Sequence, residues 1–149
     1  MLTVPLETTS NKDLRKIADA MGMDLEIHSV DLLPSTIDPN MNYIINADDS
    51  SGPGTHWTAL HTGGKYNVIY DPFGVPPDTR IKAFAKSGNN DLVVSIDKQS
   101  QHIDASSCGY WCIWFLYQRE KGKSLGEIVS MIEDDEKKNE KMLERFFLG

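Results

Sequence analysis

Cys108 stands in the setting Ser106-Ser107-Cys108-Gly109, directly ahead of an apolar run over residues 110–117. That run predicts a helix from 108 to about 121, with Ser106 or Ser107 as N-cap, so Cys108 falls just inside the first turn. Unpaired N–H groups and the positive dipole end stabilise an anion there, which lowers a thiol's pKa and favours the nucleophilic thiolate. Gly109 leaves space beside the sulfur for a substrate. The plainer reading is a small buried residue at a helix start, because most free cysteines behave as buried hydrophobes. Cys112, one turn deeper between Trp111 and Ile113, reads as such a core cysteine.

A thiolate enzyme needs a base or imidazolium partner, and the chain offers His28, His56, His61 and His102. His56 opens a strand immediately after a Gly-rich loop, where a side chain can face a cleft edge. Strand alternation puts His56, Thr58 and Leu60 on one face and Trp57, Ala59 and His61 on the other, so His56 and His61 cannot share a role. His28 and His61 suit surface or packing positions, and His102 lacks an orienting carboxylate. Counting back from a Gly63-Gly64 hairpin turn puts Asp71 level with His56 on the neighbouring strand. There it can fix the imidazole's tautomer, or it can simply cap the turn at Pro72-Phe73-Gly74. Gln101, seven residues before Cys108, can pair its amide with the Cys108 backbone N–H as an oxyanion hole, or be an exposed loop residue, with Gln99 as fallback.

The elements that must hold these groups are partly legible. Ser10-Asn11 ahead of Leu14, Ile17, Ala18 and Met21 predict a helix that stops at Gly22. Strands are expected over 25–30, 42–47, 56–62, 65–71 and 91–97, with an open loop over 48–54 and another enforced by Pro72, Gly74, Pro76 and Pro77. Asp78 caps a short helix reaching about Lys86. The 108–121 helix is apolar on nearly all sides and belongs in the core. Ser124-Leu125-Gly126-Glu127 is a capping box opening a further helix. The polar stretch 133–141 either breaks that helix or turns a charged face outward, before Met142, Leu143, Phe146 and Phe147 restore an apolar face. The pattern predicts an α+β fold: a central mixed sheet flanked by helices, with a buried helix carrying Cys108 at its N-terminus.

Composition sets the outer limits. The 149 residues, 40% hydrophobic and 25% charged, suit a single domain over 1–149 that buries roughly 68–70% of its unfolded surface. The longest apolar run is too short to span a bilayer, so no membrane partner is expected. Met1-Leu2-Thr3-Val4-Pro5 lacks the pattern of a secretory signal, and two cysteines four apart build no disulfide framework, which suits a reducing compartment. The net charge of −7 gives no general attraction to nucleic acid.

Taken in order, Gly54-Thr55-His56-Trp57, Tyr70-Asp71-Pro72-Phe73-Gly74, Gln101 and Cys108-Gly109-Tyr110-Trp111-Cys112 resemble the adenovirus-type cysteine endopeptidases, which share the fold of the SUMO-deconjugating proteases. The string from Tyr43-Ile44-Ile45-Asn46-Ala47-Asp48-Asp49-Ser50 into Gly52-Pro53-Gly54-Thr55-His56-Trp57 looks closer still to the maturation proteases of virophages, Polinton-type elements and some large DNA viruses. The resemblance covers roughly residues 42–116. It implies His56 as general base, Asp71 as its orienting group, Cys108 as nucleophile and Gln101 as oxyanion donor. Trp57 and Gly109 would shape a narrow substrate channel. It further implies cleavage of capsid or other viral structural precursors at small or glycine-containing sites, by a monomer needing no cofactor or metal, in the virion and the host cytoplasm or viral factory. The family's DNA and disulfide-tethered peptide activators fit poorly with an acidic chain whose other cysteine reads as buried.

Three rivals remain at this level. One is a deconjugating protease for a ubiquitin-like modifier, for which the chain leaves little room for an accessory recognition domain. Another is a non-catalytic interaction module. The third is a metal site built from Cys108, Cys112, His102 and His56, whose Cys-x-x-x-Cys spacing is unusual for zinc.

Overall fold

The computed structural model describes residues 10–47, 56–90, 92–101 and 107–149. Helix α1 (Asn11–Ala20) begins with a reciprocal cap: the Ser10 hydroxyl accepts the Asp13 N–H while the Asp13 carboxylate accepts the Ser10 N–H. Its buried stripe is Leu14, Ile17 and Ala18. The sheet that follows contains β1 (Glu26–Ser29), β2 (Asn42–Asn46), β3 (Trp57–His61), β4 (Asn67–Tyr70) and β5 (Val93–Ile96), with α2 (Thr79–Ala85) crossing from β4 to β5. The strands lie in sequence order. The outer pairs β1/β2 and β4/β5 are parallel and the two inner pairs antiparallel, which makes the sheet mixed as expected.

Both faces of the sheet are covered. Ile44, Trp57, Ala59, Val68 and Tyr70 join one apolar cluster with α1 and α3 (Cys108–Glu120). Tyr43, Ile45, Leu60 and Ile69 join another with Ile81, Phe84 and Ala85 of α2. Double coverage explains why β2, β3 and β4 are buried at every position and show little polar alternation in sequence.

Helix α3 is the centre of the larger cluster. Cys108 through Leu116 are all buried, so a helix apolar on every side has found neighbours on every side. Trp111 and Trp114 meet edge to face with ring centroids 5.3 Å apart, and Phe115 stacks on Tyr70 at 4.7 Å. Truncating either fully enclosed indole to alanine would cost about 3–5 kcal/mol, so the helix start is fixed by a rigid body behind it. Helix α4 (Leu125–Met131) carries the predicted capping box, with Ser124 and Glu127 exchanging hydrogen bonds. The polar stretch does both things expected of it. The chain leaves the helix after Met131, restarts at an Asp135 cap, and continues as α5 (Glu136–Leu148) with Asn139, Leu143 and Phe147 turned inward.

One register differs from expectation. Residues 62–66 connect β3 to β4, rather than a two-residue turn, and Ala59 pairs with Tyr70, Leu60 with Ile69 and His61 with Val68. Continued by one residue, this pairing sets Asp71 across from Thr58, not His56. The longer connection shifts the pairing by two residues, an even slip that keeps every side chain on its face.

Candidate active site

Three chain segments converge at the end of the sheet where β3 begins and β4 ends. His56 is the residue before β3, its carbonyl accepting the Ala47 N–H at 2.8 Å, and Asp71 is the residue after β4. Asp71 is buried, and its Oδ2 lies 2.7 Å from His56 Nε2. The other carboxylate oxygen accepts the Phe73 N–H at 2.9 Å, and the Thr58 hydroxyl reaches Oδ2 at 3.4 Å. The Asp71 carboxylate thus both serves the imidazole and caps the Pro72-Phe73 turn, so the two roles open in the sequence belong to one side chain. With Nε2–H directed at Asp71, Nδ1 is the nitrogen left to exchange a proton on the other side of the ring. Phe73 packs its ring edge against the imidazole at 5.1 Å between centroids, which limits its rotation.

Cys108 is the first residue of α3 and only 2% exposed. Backbone N–H groups of Trp57 and Gly109 hydrogen-bond its sulfur, and its own N–H lies close enough to favour the charged form. The Trp57 contact ties the sulfur to the residue that follows His56, which brings thiol and imidazole to the same corner. The thiol does not behave as the helix-terminus argument predicts. Burial pushes the Cys108 thiol above its ordinary value, and the nearby Asp71 charge adds to this, while the three N–H groups pull it down. The N–H groups lower it as expected, but desolvation of a thiolate with 2% exposure outweighs them. The thiolate therefore needs a cation beside it.

Ser107 occupies the N-cap position of α3 without capping it. Its hydroxyl donates instead to Glu140 Oε1 of α5, at 2.8 Å. Ser106 and His102, as well as the 48–55 loop with Gly54 and Thr55, lie outside the described residues.

Gln101 is fully buried, not an exposed loop residue. The Ser100 and Gln101 N–H groups both donate to the Pro72 carbonyl, at 2.9 and 3.1 Å, which fastens this segment directly beside Asp71. Gln99 does not compete for the same place, because its amide donates to the Gln101 carbonyl at 2.9 Å. Gly74 lets the segment approach. At φ +71° its hydrogen faces Asp97 O and Gln99 N, each 2.8 Å from where a Cβ would stand.

The remaining sequence candidates separate cleanly. Trp57 buries its ring in the core and offers its N–H to the sulfur, and Gly109 is buried beside it. Cys112 is fully enclosed, and burial pushes its thiol well up. His28 pairs with Glu26 at 3.0 Å near the surface. His61 packs at the far end of β3 with Nδ1 2.9 Å from Asn42 Oδ1. Sequence reasoning missed Phe73 and the α5 residues Asn139 and Glu140. Asn139 precedes Leu143 by one helical turn, and that period was the available signal for its burial.

No protein-family profile matches the chain. A bovine adenovirus 7 protein named as a protease is 35% identical over 96 residues, covering 54% of this chain and 48% of its own length. R355 of Acanthamoeba polyphaga mimivirus, provisionally named a thiol protease, is 29% identical over 107 residues, covering 63% of this chain and 35% of itself. The chain thus spans half or less of the length of these curated relatives. Among solved structures, the ASFV pS273R protease superposes with a TM-score of 0.52 at 18% identity, covering 69% of this chain and 42% of that one. The fold is that of a known protease. ChlaDub1 from Chlamydia trachomatis gives the same score at 16% identity, covering 99% of this chain and 81% of that one, so the match extends across the α+β architecture as a whole.

Proposed function

We propose that this chain is a viral cysteine endopeptidase working through Cys108, His56 and Asp71. The observation that carries the reading is the 2.7 Å contact of His56 Nε2 with Asp71, on the residue next to the N–H that holds the Cys108 sulfur. Both named relatives are viral and named as proteases, one of them a thiol protease.

His56 Nδ1 takes the proton of the Cys108 thiol, and the imidazolium is stabilised by Asp71 through Nε2–H. The sulfur attacks the scissile carbonyl carbon, and the carbonyl electron pair moves onto oxygen. The Gln101 amide and the Cys108 backbone N–H receive that oxyanion, each contributing about 2.7–4 kcal/mol to the transition state. Collapse breaks the C–N bond as His56 Nδ1–H protonates the leaving amine. Water then attacks the thioester with Nδ1 as base, releasing the carboxylic acid and returning the proton to sulfur.

Access to a nearly sealed sulfur favours a substrate without bulk beside the scissile bond, which supports small or glycine-containing sites. The substrates proposed are capsid or other structural precursors cut during virion maturation, with the enzyme acting as a monomer in the virion and the host cytoplasm or viral factory. The 43–57 sequence string supports affinity with the virophage and Polinton maturation enzymes. The test is a matched assay on a linear capsid-precursor peptide and on a Gly-Gly-ended modifier fusion, with Cys108→Ala as control. Cleavage of the peptide alone is expected. Preference for the fusion would reassign the substrate, and turnover by the control would remove Cys108 as nucleophile.

A further inference from the structure

Two consecutive residues of α5 reach both sides of the candidate site. Asn139 is 1% exposed and saturates its amide: its oxygen accepts the Glu133 N–H at 2.8 Å, and its nitrogen donates to Glu133 O at 2.8 Å and Ser100 O at 3.1 Å. Ser100 immediately precedes Gln101, and its own hydroxyl pairs with Tyr70 OH. Glu140 Oε1 accepts the Ser107 hydroxyl at 2.8 Å and the Trp111 indole N–H at 3.4 Å. Ser107 is itself buried and immediately precedes Cys108.

Gln101 and Cys108 carry the two donors assigned to the oxyanion. The segment ending at Gln101 is held by Pro72 O and by Asn139, and the residue before Cys108 is held by Glu140. A peptide oxyanion needs donors placed within a few tenths of an ångström, and a carboxylate fixed by helix geometry to a neighbouring amide is suited to impose that distance.

We propose that Asn139 and Glu140 form a positioning clamp, in which α5 holds the Ser100-Gln101 segment and the first turn of α3 at the spacing required by the two oxyanion donors. This inference rests on the protease reading above. Neither side chain touches the substrate. Both are positioning residues within an otherwise largely exposed polar stretch.

The clamp works through hydrogen-bond acceptance at Glu140, not through its charge. Glu140→Gln keeps an oxygen for Ser107 and Trp111, whereas Glu140→Ala and Asn139→Ala each release one segment. With peptide substrate, Glu140→Ala and Asn139→Ala are expected to lower kcat about tenfold or more with KM changed less than about threefold, because the lost interaction serves the transition state. Glu140→Gln is expected to restore kcat to within about threefold of wild type. Ser107→Ala approaches the same contact from the other partner. Combined with Glu140→Ala it should cost little beyond either single change, since both remove one hydrogen bond. Thermal melts of every variant exclude unfolding at the assay temperature, and if Glu140→Ala melts too low, Ser107→Ala and Glu140→Gln carry the comparison. Wild-type turnover with undiminished kcat in the Asn139→Ala and Ser107→Ala variants would overturn the clamp and leave the protease reading intact. A wild type without turnover on any peptide or fusion would remove both.

Discussion

Asp71 faces Thr58 across the β3–β4 ladder, yet its carboxylate reaches two residues along to His56 Nε2 at 2.7 Å. Both residues lie beyond the last β3–β4 pair, Ala59 with Tyr70. The same carboxylate accepts the Phe73 N–H, so its position is fixed by the turn that follows the strand. Asp71→Asn keeps that turn bond but loses the charge that supports an imidazolium. Peptide kcat should fall by on the order of 100-fold or more, with KM little changed and the thermal midpoint close to wild type. Activity retained within a few-fold would show that Asp71 only caps its turn.

Gly74 offers a test of how the Gln101 segment is held. Gly74→Ala forces a side chain into φ +71° with its Cβ 2.8 Å from two backbone atoms of residues 97 and 99. The variant should lose about 1–3 kcal/mol in urea unfolding. Activity should fall below what that loss of stability explains, because the displaced segment leads into Gln101. A variant with an unchanged unfolding midpoint would show that the segment yields freely.

His61 predicts an acid-side loss of stability unrelated to catalysis. Burial, with Arg119 as a second and smaller cause, lowers its pKa from 6.5 to about 4. The unfolded chain therefore binds a proton near pH 6.5 that the folded chain refuses until near pH 4. Stability from this group is complete above the unfolded value and declines as pH falls through that window, by about 2 kcal/mol after allowing for solvent screening. Urea midpoints measured at pH 7 and at pH 4.5 should show a smaller acid-side drop in His61→Gln than in wild type. Equal drops would mean that His61 is protonated in the folded state at little cost.

Much of the architecture is legible in the sequence because strong local signals agree with tertiary need. The apolar surface of α3, the Ser124–Glu127 box and the Asp78 cap each specify an element that the fold then uses. The candidate residues His56, Asp71, Gln101 and Cys108 could be picked out for similar reasons, since each sits at an element end or in a loop beside one. What escaped depends on distance in the chain. Ser107 reads as a cap, but Glu140 captures its hydroxyl from 33 residues away. The β3–β4 register turns on the length of one connection. The direction of the Cys108 shift depends on how completely the tertiary fold covers the sulfur, which no local pattern encodes.

The rate of Cys108 alkylation against pH, in wild type and in His56→Ala, reads out the Cys108–His56 pair itself. Cys112 is fully enclosed with its thiol pushed well up, so labelling reports on Cys108. Burial also pushes the Cys108 thiol up, hence a thiolate at neutral pH requires the His56 imidazolium beside it. In wild type a reactive thiolate should persist well below about pH 8. In His56→Ala that reactivity should vanish, leaving labelling only above the ordinary thiol range. An identical profile in both proteins would contradict the Cys108–His56 pair.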